Sequence, residues 1–312
     1  MPEGDTSLYR RARRRIYWLL VVVLVQLADW MPLGLGRRSC AGLARLAVRL
    51  RPGERRVALS NLARAFPGID EQGRGRLLEE SAEALGWNLF DTLAAQRLLD
   101  RDGAVVESPG PSAGTAGVGD ILAGLAAKGR GVFILTGHLG CWELLGGWLA
   151  RELTARGLAG LAVVTGTVRN PPVDRLLQDR RRSLGMTVLP RHEGAGPLVR
   201  YLKAGGVVAV LQDQNTQVQN VEVPFFGEPA PTPAGLARLA LRYRIPVLPV
   251  AIARDRRSNR HLVVHRPVMT FKEGTDPDDQ VKDFLVRCNR ELEHFIRRNP
   301  TEWVWFHHRW GS

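Results

Sequence analysis

The sequence predicts an α/β domain with a central, mostly parallel or mixed sheet flanked by helices. After residue 120, short apolar runs alternate with longer segments of helical periodicity, a pattern typical of parallel strands connected by helices. The composition agrees, since 45% hydrophobic and 24% charged residues among 312 are ordinary for a globular chain. The sequence can therefore bury a core of respectable size.

The pattern gives six strands and six helices. The predicted strands are Val132–Thr136, Leu161–Thr165, 186–189, Val207–Leu211, 247–253 and 261–264. The predicted helices are 121–127, 143–155, 173–184, Ala195–Lys203, 233–244 and Pro277–Arg298. The last helix stops before Pro300, because proline disfavours continuation. Residues 101–119 are rich in Gly, Pro, Ser and Ala, which predicts a loop.

The N-terminal segment predicts a membrane anchor. Five arginines within residues 10–15 precede the apolar run 16–28, which only Gln26 interrupts. A helix over this run is about 20 Å long, against a hydrocarbon core of about 30 Å, so it either spans with its extension or lies in one leaflet. A cleaved signal peptide and a buried core helix are the alternatives. The flanking arginines favour an uncleaved anchor, with the arginines themselves on the cytoplasmic side.

The chain divides into two parts on this interpretation. Residues 1–36 form the basic N-terminus and anchor, and residues 37–312 form the α/β domain, with 37–100 as a helical lead-in. The lead-in is predicted from apolar side chains such as Leu78 and Leu85, which recur at helical spacing.

Charge and cysteine usage limit the partners. The net charge of +13 favours an anionic partner, whether nucleic acid, an acidic membrane surface or an acidic protein. The segment 238–260 contains seven arginines and only one acidic residue, which predicts either a docking surface or a solvated face. The cysteines Cys40, Cys141 and Cys288 are far apart and form no CxxC pair, so a disulfide scaffold and a cysteine zinc site are not expected. No ligand cluster calls for a metal.

The motif 137–143 carries the most specific chemistry. His138 follows the first predicted strand, and open α/β sheets place ligands at the carboxyl ends of their strands. The spacing can bring the Glu143 carboxylate to one imidazole nitrogen and leave the other as a general base. The alternative is that His138 packs at a strand end and Glu143 is a first-turn helix acid. Cys141, inside the motif, is interpreted as a buried thiol.

Two more strand ends carry candidate substrate-binding residues. Arg169 follows the second strand and could hold an anionic head group bidentately, or be solvated. Asp213 follows Val207–Leu211 and could anchor Arg169 or the substrate, or cap a turn. Because these strand ends share one rim of the sheet, we expect both residues near His138.

Ordered blocks along nearly the whole chain resemble one family. They are the basic apolar start, the segment 55–67, His138-x4-Glu143, Arg169 beside Asn170 and Pro171, Asp213-Gln214-Asn215, and the segments 223–232 and 300–309. With these blocks the sequence resembles the late acyltransferases of lipid A biosynthesis, within the wider group of lysophospholipid and glycerolipid acyltransferases. The aromatic residues of the last two blocks could line an acyl groove, but core packing is the favoured interpretation.

The resemblance implies a reaction and its residues. A fatty acyl chain would pass from acyl carrier protein, or coenzyme A, to a hydroxyl of a lipid A precursor, with no further cofactor and no metal. His138 would be the general base, Glu143 its partner, and Arg169 and Asp213 further active-site residues. The expected location is the bacterial inner membrane, with the catalytic domain on the cytoplasmic side.

Two departures from the family leave the acceptor open. Gly137 stands where many relatives carry Asn, and Arg169 lies directly against Asn170. The same chemistry on a lysophospholipid, an ornithine-type aminolipid or a glycolipid is therefore the alternative. A non-catalytic basic module that binds membrane or nucleic acid is the weakest one. No nucleic-acid motif is recognisable, so we expect no nucleic-acid partner.

Overall fold

A computed structural model describes residues 28–108, 116–129, 131–166, 170–216, 219–271 and 276–311, together with Arg15, Trp18, Val22, Val23, Val25 and Gln26. Its strands are β1 Val105–Glu107, β2 Val132–Thr136, β3 Leu161–Thr165, β4 Thr187–Pro190, β5 Val207–Leu211, β6 Asn220–Phe225, β7 Glu228–Pro233, β8 Val247–Asp255 and β9 Arg260–His265. Its helices are α1 Leu33–Leu50, α2 Pro52–Ala65, α3 Glu71–Leu93, α4 Ala95–Leu99, α5 Val118–Ala126, α6 Trp142–Ala155, α7 Pro171–Ser183, α8 Ala195–Lys203, α9 Gly235–Tyr243 and α10 Pro277–Arg298.

The main sheet has seven strands in the order β1-β9-β8-β2-β5-β3-β4. All neighbours pair in parallel except β8 and β9, which are antiparallel. Every residue of β2 is buried, since helices cover both faces of a parallel sheet and its strands are continuously apolar. The predicted α/β class with a mostly parallel sheet flanked by helices is confirmed.

The structure adds strands that the pattern did not predict. β1 lies inside the predicted loop 101–119, because three residues gain their strand geometry only by pairing with β9. β6 and β7 form a separate antiparallel hairpin. β7 carries prolines at the alternate positions 229, 231 and 233. Because proline has no N–H to donate to a neighbouring strand, the sequence alone does not predict a strand here. At that spacing all three lie on the edge away from β6, where no N–H is needed.

Helices α1 and α3 pack very closely. A Cβ added at Gly86 of α3 would lie 2.5 Å from the Cys40 carbonyl oxygen and 2.6 Å from the Cα of Ala41. On the next turn, a Cβ at Gly36 of α1 would overlap the ring of Phe90. The two glycines therefore set the distance and the rotation of α1 on α3.

A buried carboxylate ties these helices to the edge of the sheet. Asp91 of α3 is fully buried and accepts hydrogen bonds from Arg37 of α1, from Arg254 of β8 and from the ring of His261 in β9. Burial alone would raise the pKa of Asp91. The hydrogen bonds and positive charges of these partners outweigh that effect and lower the pKa to about 2. Arg254 is thus buried in the core, so it belongs neither to a docking surface nor to a solvated face, the two alternatives for the arginines of 238–260.

The N-terminal segment is described only in part. Most of the apolar run predicted as an anchor in residues 1–36 lies outside the described residues. Within the part of the chain that the structure describes, no helix combines the length and apolar character needed to cross a bilayer. Ala28 packs on Phe90 and Ala94, and Arg97 donates to the carbonyl oxygens of Ala28 and Met31. The anchor itself stays a prediction, because most of its residues lie outside the described ranges.

Gly86→Ala tests the α1–α3 contact. The methyl group meets backbone that cannot move without shifting the helix, so we expect a loss of about 1–3 kcal/mol in the free energy of unfolding. Gly75→Ala on the same helix is the control, since a Cβ there meets nothing within 4 Å, and it should stabilise by about 0.5–1 kcal/mol. Denaturant unfolding of the two variants measures both effects. Equal effects would contradict the close contact.

Candidate active site

His138 lies at the carboxyl edge of the sheet, two residues after β2 ends. The C-terminal segment holds its backbone in place, since Val304 N–H donates to the His138 carbonyl at 3.1 Å and Gly140 N–H donates to the Glu302 carbonyl at 2.9 Å. Gly140 has φ +63°, and a Cβ there would lie 2.1 Å from the Ile252 carbonyl oxygen. The histidine is thus fixed by backbone on both sides rather than carried on a free loop.

Asp213 is the carboxylate that contacts the imidazole. His138 Nδ1 lies 2.9 Å from Asp213 Oδ1, and the His138 backbone N–H donates to Oδ2 at 2.7 Å. A carboxylate only accepts, so Nδ1 carries the proton in this contact. Nε2 has no protein partner among the described residues, and the half-buried ring borders a cavity. The arrangement leaves the Nε2 lone pair of the neutral ring available to a bound molecule.

Glu143 does not contact the imidazole, which corrects its predicted position as the partner of His138. Its carboxylate instead receives both Nε and Nη2 of Arg181 from α7, at 2.5–3.1 Å. The physical reason is helix geometry, because Glu143 belongs to the first turn of α6 and faces α7, whereas the strand end β5 brings Asp213 directly to the ring.

The Asp213 carboxyl is held ionised by its surroundings. It is fully buried, and burial alone would raise its pKa. The charge and hydrogen bond of His138, with the hydrogen bond that Trp303 Nε1 donates to Oδ2 at 2.7 Å, hold the pKa well below its usual range. Asp213 is thus fully buried and hydrogen-bonded to His138 and Trp303.

Gly137 allows the carboxylate to come this close. A Cβ at Gly137 would lie 2.9 Å from Asp213 Oδ2 and 3.0 Å from its Cγ. A larger side chain here displaces the carboxylate unless the β5 end moves. In this chain the glycine and the His138–Asp213 contact therefore belong together.

The cavity beside His138 has a volume of about 320 Å³ and changes character with depth. Its polar lining lies near the strand ends and includes Thr136, His138, Glu143, Arg181, Gln214 and Thr216. The side chains deeper in the sheet, on α6 and just before β4 are apolar, among them Ile134, Leu145, Leu149, Val163, Met186 and Ala209. Such a site suits a molecule with a polar reacting group and an apolar tail.

The structure also locates most of the other residues that the sequence singled out. Arg169 lies outside the described residues. Cys141 is buried, and desolvation raises the pKa of its thiol to about 12, so it is no nucleophile at neutral pH. Across the described ranges, no group of three or more His, Cys, Asp and Glu side chains could hold a metal ion. Trp303, Trp305 and Phe225 are buried in the core, as the packing interpretation expected.

Sequence reasoning missed three contributors to the site. For Trp303 the sequence suggests an acyl groove or, preferably, core packing, but a buried indole N–H also needs a partner, which here is Asp213. His307, whose burial lowers its pKa, contacts the Asp213 carbonyl through Nε2 at 3.2 Å. Arg181 stands in a run of three arginines, and nothing in the sequence distinguishes it from its neighbours.

A histidine that borders a cavity with an apolar lining is an arrangement that suits the transfer of an acyl chain to a hydroxyl. The chain belongs to the bacterial lipid A biosynthesis acyltransferase family, whose model matches residues 2–312. It is therefore an O-acyltransferase that acts on a lipid acceptor.

Individual relatives agree with the family. The chain is 26% identical to the lipid A biosynthesis lauroyltransferase of Escherichia coli K12, over 100% of this chain and 96% of the relative. It is 26% identical to the lipid A biosynthesis acyltransferase 1 of Shigella flexneri, over 98% of this chain and 89% of the relative. It is 31% identical to a phosphatidylinositol mannoside acyltransferase of Mycobacterium tuberculosis H37Rv, over 42% of this chain and 41% of the relative.

Asp213→Asn tests the ionised carboxylate through stability. The folded-state pKa of Asp213 lies below its unfolded value of about 3.9. Its ionisation therefore stabilises the fold above that pH, and this contribution is lost as the pH falls through and below 3.9. At pH 7 we expect the variant to be about 2–4 kcal/mol less stable than the wild type, and the gap should narrow below about pH 4.

Denaturant unfolding at a series of pH values measures the gap, and Asp283→Asn on the exposed side of α10 is the control. A gap that stays constant from neutral to acid pH would contradict the ionised state of Asp213.

Proposed function

We propose that the protein transfers a fatty acyl chain from an acyl thioester to a hydroxyl of a lipid A precursor, with His138 as the general base. The observation that carries the proposal is the contact between His138 Nδ1 and the buried Asp213 carboxylate, which turns Nε2 towards the cavity. The full-length similarity to proteins named as lipid A lauroyl- and myristoyltransferases supports the acceptor class.

The proposed reaction needs no covalent enzyme intermediate. His138 Nε2 takes the proton of the acceptor hydroxyl as its oxygen attacks the thioester carbonyl, and a tetrahedral intermediate forms. The carbon–sulfur bond then breaks, and the leaving thiolate takes the proton from the imidazolium. Asp213 stabilises that imidazolium while it exists. A positioned base of this kind contributes roughly 10²–10⁴-fold to the rate.

The start of α6 offers donors for the developing oxyanion. The first backbone N–H groups of a helix have no acceptor within the helix, and the positive end of its dipole lies there. In α6 these groups belong to Trp142 and Glu143, next to His138 and at the cavity. We assign the thioester oxygen to this position, because donors aimed at a developing charge stabilise the transition state.

The acyl chain is assigned to the apolar depth of the cavity. The lining by Ile134, Leu149 and Met186 excludes charged groups and places the tail between α6 and the sheet. The thioester then lies near the strand ends, where His138 is. Glu143 and Arg181 form part of the wall, and we propose that their ion pair fixes the position of α7 beside the donor.

The net charge of the chain suggests the acyl donor, and the lipid acceptor suggests the cellular location of the protein. We propose acyl carrier protein as the donor, since it is acidic and the chain carries +13, with acyl-coenzyme A as the alternative. The reaction needs no other cofactor and no metal. We further propose that the protein works at the cytoplasmic face of the bacterial inner membrane, with the N-terminal apolar run taking part in attachment. Arg169, which lies outside the described residues, remains a proposed ligand for an acceptor head group.

A glycolipid acceptor is the second candidate. The observation that favours it is the 31% identity over 134 residues with a phosphatidylinositol mannoside acyltransferase. A panel of acceptors that includes both lipid classes separates the two.

His138→Ala and Asp213→Asn test the base. Acyl transfer from labelled donors to the acceptor panel should be lost in His138→Ala. In Asp213→Asn it should fall by about 10³–10⁴-fold, because the amide no longer fixes the tautomer or stabilises the imidazolium. The control is His192→Ala, an exposed histidine outside the cavity. If the His138→Ala variant is as active as the wild type, the assignment of His138 as the general base is wrong.

Glu143 and Arg181 are tested by a double-mutant cycle. If Glu143 acts by holding Arg181, Glu143→Gln and Arg181→Gln lower the activity by the same factor, and the double variant is no worse than either. If Glu143 instead assists His138, its substitution adds to that of Arg181. The kcat and KM of the three variants with acyl thioester decide between these outcomes.

A further inference from the structure

The outer surface of α1 carries an exposed row of leucines. Leu35, Leu43, Leu46 and Leu50 are 56%, 62%, 51% and 71% exposed, whereas large apolar side chains are ordinarily buried. At 100° per residue the four fall within an arc of roughly 80° on the helix. We call this surface the leucine face.

The leucine face cannot turn inward. The opposite side of α1 is fixed by the close approach of Gly86 to Cys40 and Ala41, and by the buried ion pair of Arg37 with Asp91. Rotating α1 to cover the leucines would break both contacts. What covers them must therefore come from outside this packing.

Basic side chains border the leucine face. Arg38, Arg45 and Arg49 lie beside the leucines on the same flank of α1, which contains no acidic residue. Arg45 and Arg49 pair with Glu83 and Glu79 of α3, while Arg38 is exposed. Apart from the buried Arg37, α1 and the first residues of α2 with its preceding Arg51 carry six arginines, Arg38, Arg45, Arg49, Arg51, Arg55 and Arg56, against Glu54 and the two glutamates of α3 that pair with α1, Glu79 and Glu83.

An exposed aromatic side chain lies three residues before α1 begins. Trp30, two residues before Pro32, is 89% exposed. Tryptophan is favoured at the boundary between lipid head groups and acyl chains, where its ring is half immersed. Its exposure at the start of α1 is unusual for a side chain of this size in water.

We propose that α1 lies in the plane of an anionic bilayer surface, with the leucine face among the acyl chains and the flanking arginines at the phosphate head groups. An apolar stripe with a basic border is the pattern of helices that lie on membranes. A bilayer, unlike a folded partner, requires no groove or shape match, and none of the four leucines lines a described cavity. The inference deepens the membrane association in the proposed function and rests on it, but not on His138.

Spin labels test the immersion of α1 in the full-length protein. Labels are placed at Leu43→Cys, or at Lys282→Cys on the exposed side of α10, in a Cys40→Ala background; Cys141 and Cys288 are buried. Vesicles of phosphatidylethanolamine and phosphatidylglycerol are added. We expect collisions of the label at 43 with a water-soluble nickel chelate to fall several-fold and collisions with oxygen to rise, and no change at 282.

Two results would overturn the inference. One is a label at 43 that remains open to the nickel chelate in the presence of vesicles. The other is a label already shielded without vesicles, or broadened by a second label, which would mean that the chain itself or a second copy covers the leucine face.

A paired activity test separates this inference from the reaction. Leu43→Glu with Leu46→Glu lowers the net charge by two, as does the control Lys282→Glu. Transfer to an acceptor in vesicles should fall at least tenfold in the double variant and not in the control, about the effect expected from losing immersed apolar area. Transfer to a detergent-dispersed acceptor should persist in both. Wild-type protein without any transfer would contradict the reaction and leave the label result standing.

Discussion

The buried carboxylate of Asp213 is the interaction on which the site depends. A carboxylate without partners in the interior costs several kcal/mol, so its position requires donors on every side. Three converge on it: the His138 ring, the His138 backbone N–H and the Trp303 indole. One of these partners is the group it orients, and another comes from the last segment of the chain. The histidine, the end of β5 and the C-terminus therefore form one unit.

The rest of the fold serves this unit. Parallel pairing of β2 and β5 brings His138 and Asp213 to the same edge, and Gly137 removes the side chain that would keep them apart. The segment after α10 bonds to residues 138–140 and closes the far side. On the outer edge, Asp91 joins α1 and α3 to β8 and β9, which holds α1 with its leucines facing outward.

The sequence predicted the sheet better than the site. Strands such as β2 and β5 are continuously apolar, so their bounds follow from the pattern alone, whereas β1 and the proline-bearing β7 depend on pairing partners distant in the chain. The choice of His138 as a candidate site residue follows from its position just after a predicted strand. The choice of Asp213 over Glu143 could not be predicted, because spacing along the chain favours the nearer acid and only the parallel pairing of β2 with β5 brings the farther one to the ring. The partner of Glu143, Arg181, could not be predicted either, because it comes from α7 and the contact depends on how α6 and α7 pack.

The tautomer of His138 tests the central claim most directly. Nitrogen-15 NMR of the imidazole in the neutral ring reports which nitrogen carries the proton. The account predicts a protonated Nδ1, donated to Asp213, and an unprotonated Nε2 that responds when an acceptor analogue enters the cavity. A proton on Nε2, or a Nδ1 signal that is unchanged when Asp213 is replaced by Asn, would contradict it.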